Sequence, residues 1–218
     1  MDHPLFSGKS PLQKVVSSLP PIERALIRHS YNVDKISRKI CRDMQFDRYQ
    51  TRVVSFAAKL HDCAKFLPEF RQLFFEHKGR FNYVERQKAA KHAYASALVV
   101  KKLWEEGRFD HDLAIVAPAT FMIAGHHDCT SEAEFHYRAR LNESQFDPFS
   151  GYCRGLFEFP VIGGRVLKVA DCFVTAMEKR HYPKPILNSH EAYAEIASES
   201  GEVFHAEVVM ALERVLYV

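Results

Sequence analysis

Seven histidine and aspartate side chains are candidates for metal ligands. The chain has 12 histidines beside a single tryptophan, and several of the histidines fall on or next to the apolar faces of predicted helices. A lone histidine on such a face is more often a hydrogen-bonded core residue, but together these groups form a mixed nitrogen and oxygen donor set. Such a set suits iron, manganese, zinc or nickel better than calcium or magnesium. The candidates are His29, His61, Asp62, His92, His126, His127 and Asp171.

Two of these residues, Asp171 and Asp62, give the strongest signals. The stretch LKVADCFV places Asp171 in the middle of an apolar run, where an unpaired carboxylate is costly and needs a cation, a proton or a donor. Asp62 directly follows His61, and its two carboxylate oxygens could bridge two ions a few ångströms apart. We therefore predict two sites that share Asp62: one formed by His29, His61, Asp62 and Asp171, and one formed by Asp62, His92, His126 and His127.

Two ions held in this way could hydrolyse a phosphate ester. They can hold a bridging hydroxide at neutral pH and clamp a phosphoryl oxygen for in-line attack. Lys65 lies four residues after His61, on the same face of a predicted helix, where it could neutralise charge in the transition state or protonate the leaving oxygen. The alternative for Lys65 is a solvated lysine at a helix end. We predict catalytic roles for Asp62 and Lys65.

The elements that position these groups are predicted to be helices. Apolar residues between positions 22 and 40 are spaced by three and four, as in an amphipathic helix, and His29 lies within this pattern. No segment shows convincing strand alternation. Asn188 and Glu191 have the spacing of a capping box. The prediction is an all-α helical bundle, with further helices over 50–65, 83–106, 112–125, 164–179, 190–199 and 205–216.

We expect the bundle to be a single domain over 1–218, with its core from about 22 to 216. Neither an internal repeat nor a linker divides the chain. The one long irregular stretch is 129–161, which is polar, rich in aromatic residues and interrupted by Pro148 and Pro160. Loops of this length inside a compact domain are usually functional. We predict that 129–161 is a long loop or lid.

Composition excludes several classes of protein. The 218 residues are 47% hydrophobic and 26% charged, which is typical of a globular protein and not of a disordered one. There is no run of 18 apolar residues and no signal-peptide pattern, so neither a membrane span nor secretion is expected. Five cysteines without a C-x-x-C pair favour the reducing cytoplasm. The net charge of +3 is only weak support for nucleic-acid binding.

The order of the candidate ligands resembles the HD superfamily of metal-dependent phosphohydrolases, which are all-α proteins. Within it the chain is most similar to the HD-GYP phosphodiesterases. The stretch KLHDCAKFLPEFRQLFFEHKGRFNYVERQKAAKH has the order of that group, and GYCRGLFEFPVIGGRVLKVADCFVTAMEKRHYPKPIL resembles its GYP signature, its last ligand helix and its basic turn. The resemblance implies that the seven candidates are the metal ligands and that Lys65 is the catalytic lysine.

HD-GYP proteins hydrolyse cyclic dinucleotides, and the resemblance implies cyclic di-GMP as the substrate. It also implies that Arg180 contacts the substrate phosphate and that Tyr152 belongs to the signature; Lys184 could complete a basic rim. Cys153 stands where the signature has proline. Ala25 stands where some members have a glutamate that binds a third metal, so two divalent ions are expected. Iron or manganese is favoured, with zinc, nickel and cobalt as alternatives.

Three alternatives stay open beside a cyclic-dinucleotide phosphodiesterase. The stretch HDCAKFLPEFRQLF also resembles the HD nuclease domain of CRISPR-associated helicase-nucleases, which would imply cleavage of single-stranded DNA. A nucleotide phosphohydrolase would be distinguished by its product. A sensor that binds cyclic dinucleotides without hydrolysing them is the third, and the full ligand set counts against it.

Overall fold

Helices account for most of the chain that the structure describes. The computed structural model describes residues 19–77, 79–127, 158–178 and 185–217, and within these ranges there is no β-strand. The all-α prediction is confirmed. The helices of eight or more residues are α1 (Pro21–Asp43), α2 (Arg48–Leu60), α3 (Tyr83–Ala90), α4 (His92–Glu105), α5 (Leu113–Gly125), α6 (Glu158–Met177), α7 (Ser189–Ser198) and α8 (Ala206–Tyr217).

Local sequence explains how α1 and α2 begin. Pro21 occupies the first turn of α1, where its missing N–H leaves no hydrogen bond unmade. The face of α1 that includes Val33 and Ile40 is fully buried. Asp47 caps α2, because its carboxylate accepts a hydrogen bond from the Gln50 N–H while the Gln50 side chain accepts one from the Asp47 N–H. The two helices pack against each other.

α2 ends at Leu60, five residues before the predicted end. Asp62 leaves helical geometry, with φ −107° and ψ 8°, and Cys63–Phe66 form one 3₁₀ turn. The prediction that Lys65 lies on the same helical face as His61 is therefore wrong, because the two residues belong to different elements. Asp62 lies at the bend between these elements.

The chain between α2 and α3 consists of short turns. A single helical turn, Pro68–Arg71, continues into a π-helical turn over Gln72–Glu76. Asn82 precedes α3, and its side chain accepts a hydrogen bond from the Glu85 N–H and caps the helix. α3 itself buries none of its residues.

The sequence predicts one helix over 83–106, but the structure has two. The break is at Lys91, whose N–H bonds to the Lys88 carbonyl in a tightened last turn of α3. α4 ends at Glu105, one residue before the predicted end, and Gly107 follows with a positive φ of 68°. The break places His92 at the first position of α4.

α5 is the most deeply buried helix described, since every residue from Ile115 to Gly125 is buried. Pro118 lies inside this helix and has no N–H to donate to the carbonyl of Ala114. The Tyr49 hydroxyl of α2 donates to that carbonyl instead, at 2.7 Å. A side chain of α2 thus replaces the backbone hydrogen bond that α5 lacks.

α6 begins at Glu158, six residues before the predicted start at 164. It passes close to α5 at Gly163, where an added Cβ would lie 2.3 Å from Met122 Cε. The last four residues of the predicted loop 129–161 are therefore helical. Residues 129–157 of that predicted loop lie outside the described residues.

α7 and α8 complete the bundle. The predicted capping box is confirmed, because the Asn188 side chain accepts from the Glu191 N–H at 3.0 Å and the Asn188 N–H donates to the Glu191 carboxylate at 2.8 Å. α8 packs against α1, and Arg214 pairs with Asp43 across them at 2.6 Å. Across the described ranges, the helices lack the combined length and apolarity that crossing a membrane requires.

Candidate metal centre

The seven candidate ligands come from five segments and meet at one place in the bundle. His29 lies within α1 and Asp171 within α6, whereas the other five lie at helix ends. Six of the seven are buried, and His127 lies at the exposed edge. We call this set the ligand floor: His29, His61, Asp62, His92, His126, His127 and Asp171.

Three of the histidines are oriented by one repeated device. In each, Nδ1 lies within hydrogen-bond distance of the backbone carbonyl three residues earlier. A carbonyl only accepts hydrogen bonds, so Nδ1 carries a proton, and Nε2 is the nitrogen that would offer a lone pair to a metal ion. The pairs are His61 with Ala58 at 2.8 Å, His92 with Ala89 at 2.5 Å and His126 with Ile123 at 2.6 Å.

Two of these Nε2 atoms, on His61 and His126, are buried and have no hydrogen-bond partner among the described residues. Both side chains are completely buried. Burial, together with the neighbouring histidines, keeps the pKa of His126 well below its usual value, so its Nε2 is an acceptor without a donor. Buried acceptors of this kind need a cation or a donor. The floor therefore fits bound metal ions.

The first predicted group of ligands lies close together. His29 Nε2 is 3.0 Å from Asp171 Oδ1 and 3.6 Å from Asp62 Oδ2. His61 Nε2 is 3.5 Å from the same Asp62 oxygen and 3.8 Å from Asp171 Oδ1. These four side chains therefore point two nitrogens and two carboxylate oxygens at a common space.

The second predicted group uses the other oxygen of Asp62. Oδ1 lies 2.9 Å from His92 Nε2, and the Nε2 atoms of His92 and His127 are 3.2 Å apart. His126 groups with His92 and His127, but it also groups with His61 and Asp171 of the first set. His126 thus lies between the two groups rather than in the second alone.

The two carboxylates of the floor stay ionised. Burial would raise the pKa of Asp62, but the neighbouring His61 and Lys65 hold it well below its usual range. Burial would also raise the pKa of Asp171, but a hydrogen bond from His29 and the neighbouring His61 hold it well below its usual range. The floor therefore presents negative carboxylate oxygens, the form that binds divalent metals, beside His126, whose imidazole is held neutral by its low pKa.

Glu178 contacts the floor and was not predicted from the sequence. Its Oε2 accepts a hydrogen bond from His29 Nδ1 at 2.8 Å, and its Oε1 accepts one from Asn32 at 3.3 Å. Burial lowers the pKa of His29, but hydrogen bonds to Asp171 and Glu178 outweigh it and raise that pKa to about 10. A carboxylate on the outer nitrogen of a ligating histidine fixes the ring and increases its basicity. Glu178 lies seven residues, or two helical turns, after Asp171, which places both carboxylates on the same side of the chain. That spacing is the signal that could have identified Glu178.

Lys65 lies beside the floor although it is not on the predicted helix. Its Nζ is 2.5 Å from Asp62 Oδ2 and 4.7 Å from the centre of the Phe74 ring. Its ammonium therefore lies where the carboxylates meet an aromatic surface. A positive charge at this position can reach a phosphate bound over the floor.

An open cavity of about 850 Å³ lies over the floor and includes five of its side chains in the lining. Another part of the lining comes from the segment between α2 and α4. Three phenylalanines and one arginine of this segment lie side by side in the lining. We call them the aromatic wall: Phe74, Phe75, Phe81 and Arg86.

The predicted substrate contacts Tyr152, Arg180 and Lys184 lie outside the described residues. Within the described residues, the cavity lining offers Lys65 and Arg86 as cations. Arg86 was not predicted from the sequence, because nothing in its local pattern links it to the ligands.

The chain matches one family of known proteins. The model of the family described as "Cas3, HD domain" matches residues 22–211, which is nearly the whole predicted core. The match supports the HD superfamily and, within it, the resemblance carried by HDCAKFLPEFRQLF; the narrower HD-GYP assignment is not confirmed. A search of the curated proteins found no match.

Proposed function

This chain belongs to the Cas3 HD-domain family, a family of metal-dependent hydrolase domains, and from that premise we propose that it is a nuclease that hydrolyses phosphodiester bonds in single-stranded nucleic acid. The observation that carries the proposal is the ligand floor itself. Seven nitrogen and oxygen donors face one another at the bottom of an open cavity, and two buried Nε2 atoms lack donors. Bound divalent ions supply Lewis-acid activation of water and of the scissile phosphate.

Asp62 is central to the proposed chemistry. Its two oxygens face different ligand groups, with His92 on Oδ1 and His29 and His61 on Oδ2. One carboxylate can therefore hold two ions at a fixed separation. Lys65 lies next to the same carboxylate and would turn its ammonium towards the phosphate, where it would neutralise charge in the transition state.

The recessed floor favours a single strand over a duplex. Asp62 has only 2% of its surface exposed, so the scissile phosphate must enter the cavity to reach the ligands. A flexible single strand can bend one phosphate into such a cavity, whereas a duplex is stiff over many base pairs.

The test uses protein prepared without oxygen and loaded with Fe(II) or Mn(II). Labelled single-stranded DNA, circular single-stranded DNA, duplex DNA and cyclic di-GMP are each incubated with the parent, Asp62→Ala and Asp110→Ala, and bound metal is measured in every sample. Asp110 is exposed and distant in sequence from the ligands, so its variant is the matched control. We expect single-stranded DNA to be cleaved by the parent and the control only.

Two results would overturn the proposal. Cleavage by Asp62→Ala at the parent rate would place the chemistry elsewhere, and a parent that binds two ions yet leaves single-stranded DNA intact would exclude this substrate.

Hydrolysis of cyclic di-GMP is the second candidate function. The GYP-like residues Gly151-Tyr152-Cys153 favour it, and a cavity of about 850 Å³ is large for one nucleotide, being near the upper end of small-molecule sites at ~300–1,000 Å³. Hydrolysis of cyclic di-GMP without cleavage of single-stranded DNA in the same experiment would support this candidate instead.

A further inference from the structure

The aromatic wall offers apolar surface directly beside the metal ligands. The Phe74 ring meets the His92 ring edge-on, with centres 5.1 Å apart, and Phe81 meets Phe74 in the same way at 6.0 Å. Phe74, Phe75 and Phe81 are all only partly buried and line the open cavity. Aromatic surface therefore runs outward from a ligand of the floor. Binding a phosphate and metal ions does not require such a surface.

The backbone that presents two of these rings is unusual. Phe74 and Phe75 are neighbours in the π-helical turn Gln72–Glu76, and both line the cavity. π-helical turns are rare and occur frequently at functional sites.

Arg86 adds a positive charge next to the rings. Its Nε donates to the Phe81 carbonyl at 3.1 Å, which holds the guanidinium beside that residue. No carboxylate among the described residues pairs with Arg86, whereas Arg71 nearby in sequence pairs with Glu23 at 2.6 Å. Arg86 therefore keeps its charge and its remaining donors for an anion.

We infer that the aromatic wall is a subsite for a nucleobase and its adjoining phosphate, next to the phosphate that is cleaved. The base stacks on the ring of Phe81, and the guanidinium of Arg86 binds the adjoining phosphate. Aromatic rings accept every base, so the subsite would favour a polynucleotide without selecting its sequence. The inference rests on the proposed nuclease function and deepens it by naming the part of the substrate that is recognised.

The test compares a base-bearing oligonucleotide with one that has the same phosphates but an abasic position. Metal-loaded parent protein, Phe81→Leu and Phe81→Tyr are assayed for kcat/KM, and binding is measured with hydrolysis-resistant phosphorothioate versions. The parent should prefer the base-bearing strand by about tenfold. Phe81→Leu keeps an apolar side chain but should lose the preference, and Phe81→Tyr should keep it.

Arg86→Ala tests the phosphate contact separately. It should weaken binding of both strands equally and reduce the dependence of log Kd on log salt by about one unit. Lys88→Ala is the control, because Lys88 is exposed on the same helix but does not line the cavity. It should leave the salt dependence nearly unchanged.

The failures of the two proposals are distinguishable. Equal affinity of the parent for both strands, or a preference that survives in Phe81→Leu, would overturn the subsite even if DNA is cleaved. A base preference in binding together with no hydrolysis of any phosphodiester would support the subsite and overturn the proposed nuclease function.

Discussion

The ligand floor and the aromatic wall line one cavity but are built differently. The floor is held by the long helices of the core, and three of its imidazoles are fixed by their own backbone. The wall comes from two short turns and from α3, which buries no residue. Metal chemistry needs side chains held to within about half an ångström, whereas stacking tolerates small shifts of a ring. On the proposed function, the core helices would hold the ions and the segment outside the core would meet the substrate.

The largest effect should come from removing the carboxylate shared by both groups of the floor. Asp62→Ala should lower the metal content from two ions per chain to none, because Asp62 faces both groups, and should abolish hydrolysis. Phe81→Ala in the wall should keep both ions and change KM. Metal analysis measures the number of bound ions in each variant, and steady-state kinetics measure kcat and KM. Two ions retained in Asp62→Ala would refute the bridging role.

Glu178 tests whether the floor depends on residues outside it. Glu178→Ala removes the acceptor of His29 Nδ1–H and should weaken metal binding by about 10–100-fold. Glu178→Gln keeps an acceptor oxygen and should have a smaller effect. Competition against a chelator measures the affinity, and Glu202→Gln, an exposed glutamate near α8, is the control. Equal affinities for parent and Glu178→Ala would show that His29 needs no such support.

Two adjacent glycines in α6 test how tightly α6 packs against α5. Gly163→Ala should cost about 1–3 kcal/mol of unfolding free energy, because the new Cβ meets the buried Met122 side chain. At Gly164 the nearest atoms to an added Cβ are 3.8 Å away, so Gly164→Ala should be neutral or stabilising by up to about 1 kcal/mol. Denaturant unfolding checks both. Equal stabilities of the two variants would contradict this close packing.

The smallest effect concerns two cysteines, one in the core helix α1 and one in the 3₁₀ turn that follows Asp62. Burial raises the pKa of both Cys41, in α1, and Cys63, in the 3₁₀ turn, to about 12. Cys41 is fully buried, whereas Cys63 is partly exposed. In variants that keep one thiol each, alkylation at pH 8 should reach Cys63 first and Cys41 only on unfolding. The same rate for both would show that the turn opens no more readily than α1.

Periodicity and misplaced polar residues were enough to predict the fold class and to assemble the candidate ligands. Asp171 is conspicuous because a carboxylate inside an apolar run needs a partner, and the neighbouring His61 and Asp62 form a pair that can serve two ions. The structure brings the seven predicted side chains together in one part of the bundle, where they form groups that could each hold a metal ion. Whether each binds metal remains a prediction that the variants test.

Other features depend on contacts that the local sequence does not encode. The residues around Lys91 favour helix on both sides, so the local sequence does not predict the break that places His92 at the first position of α4. Glu178 meets His29 across 149 positions of sequence. Arg86 and Phe81 meet the cavity through turns whose geometry, a π-helical turn among them, periodicity does not predict.

The Tyr49 hydroxyl that replaces the hydrogen bond missing at Pro118 joins two helices that each lead into a candidate ligand. Pro118 lies eight residues before His126, about 12 Å along α5. Over that lever arm a tilt of about 5° would displace the imidazole by roughly 1 Å, several times the ~0.2 Å tolerance of a metal–ligand bond. One phenol at the far end of α2 thus joins the two helices that lead into His61 and His126, without itself belonging to the candidate ligand set.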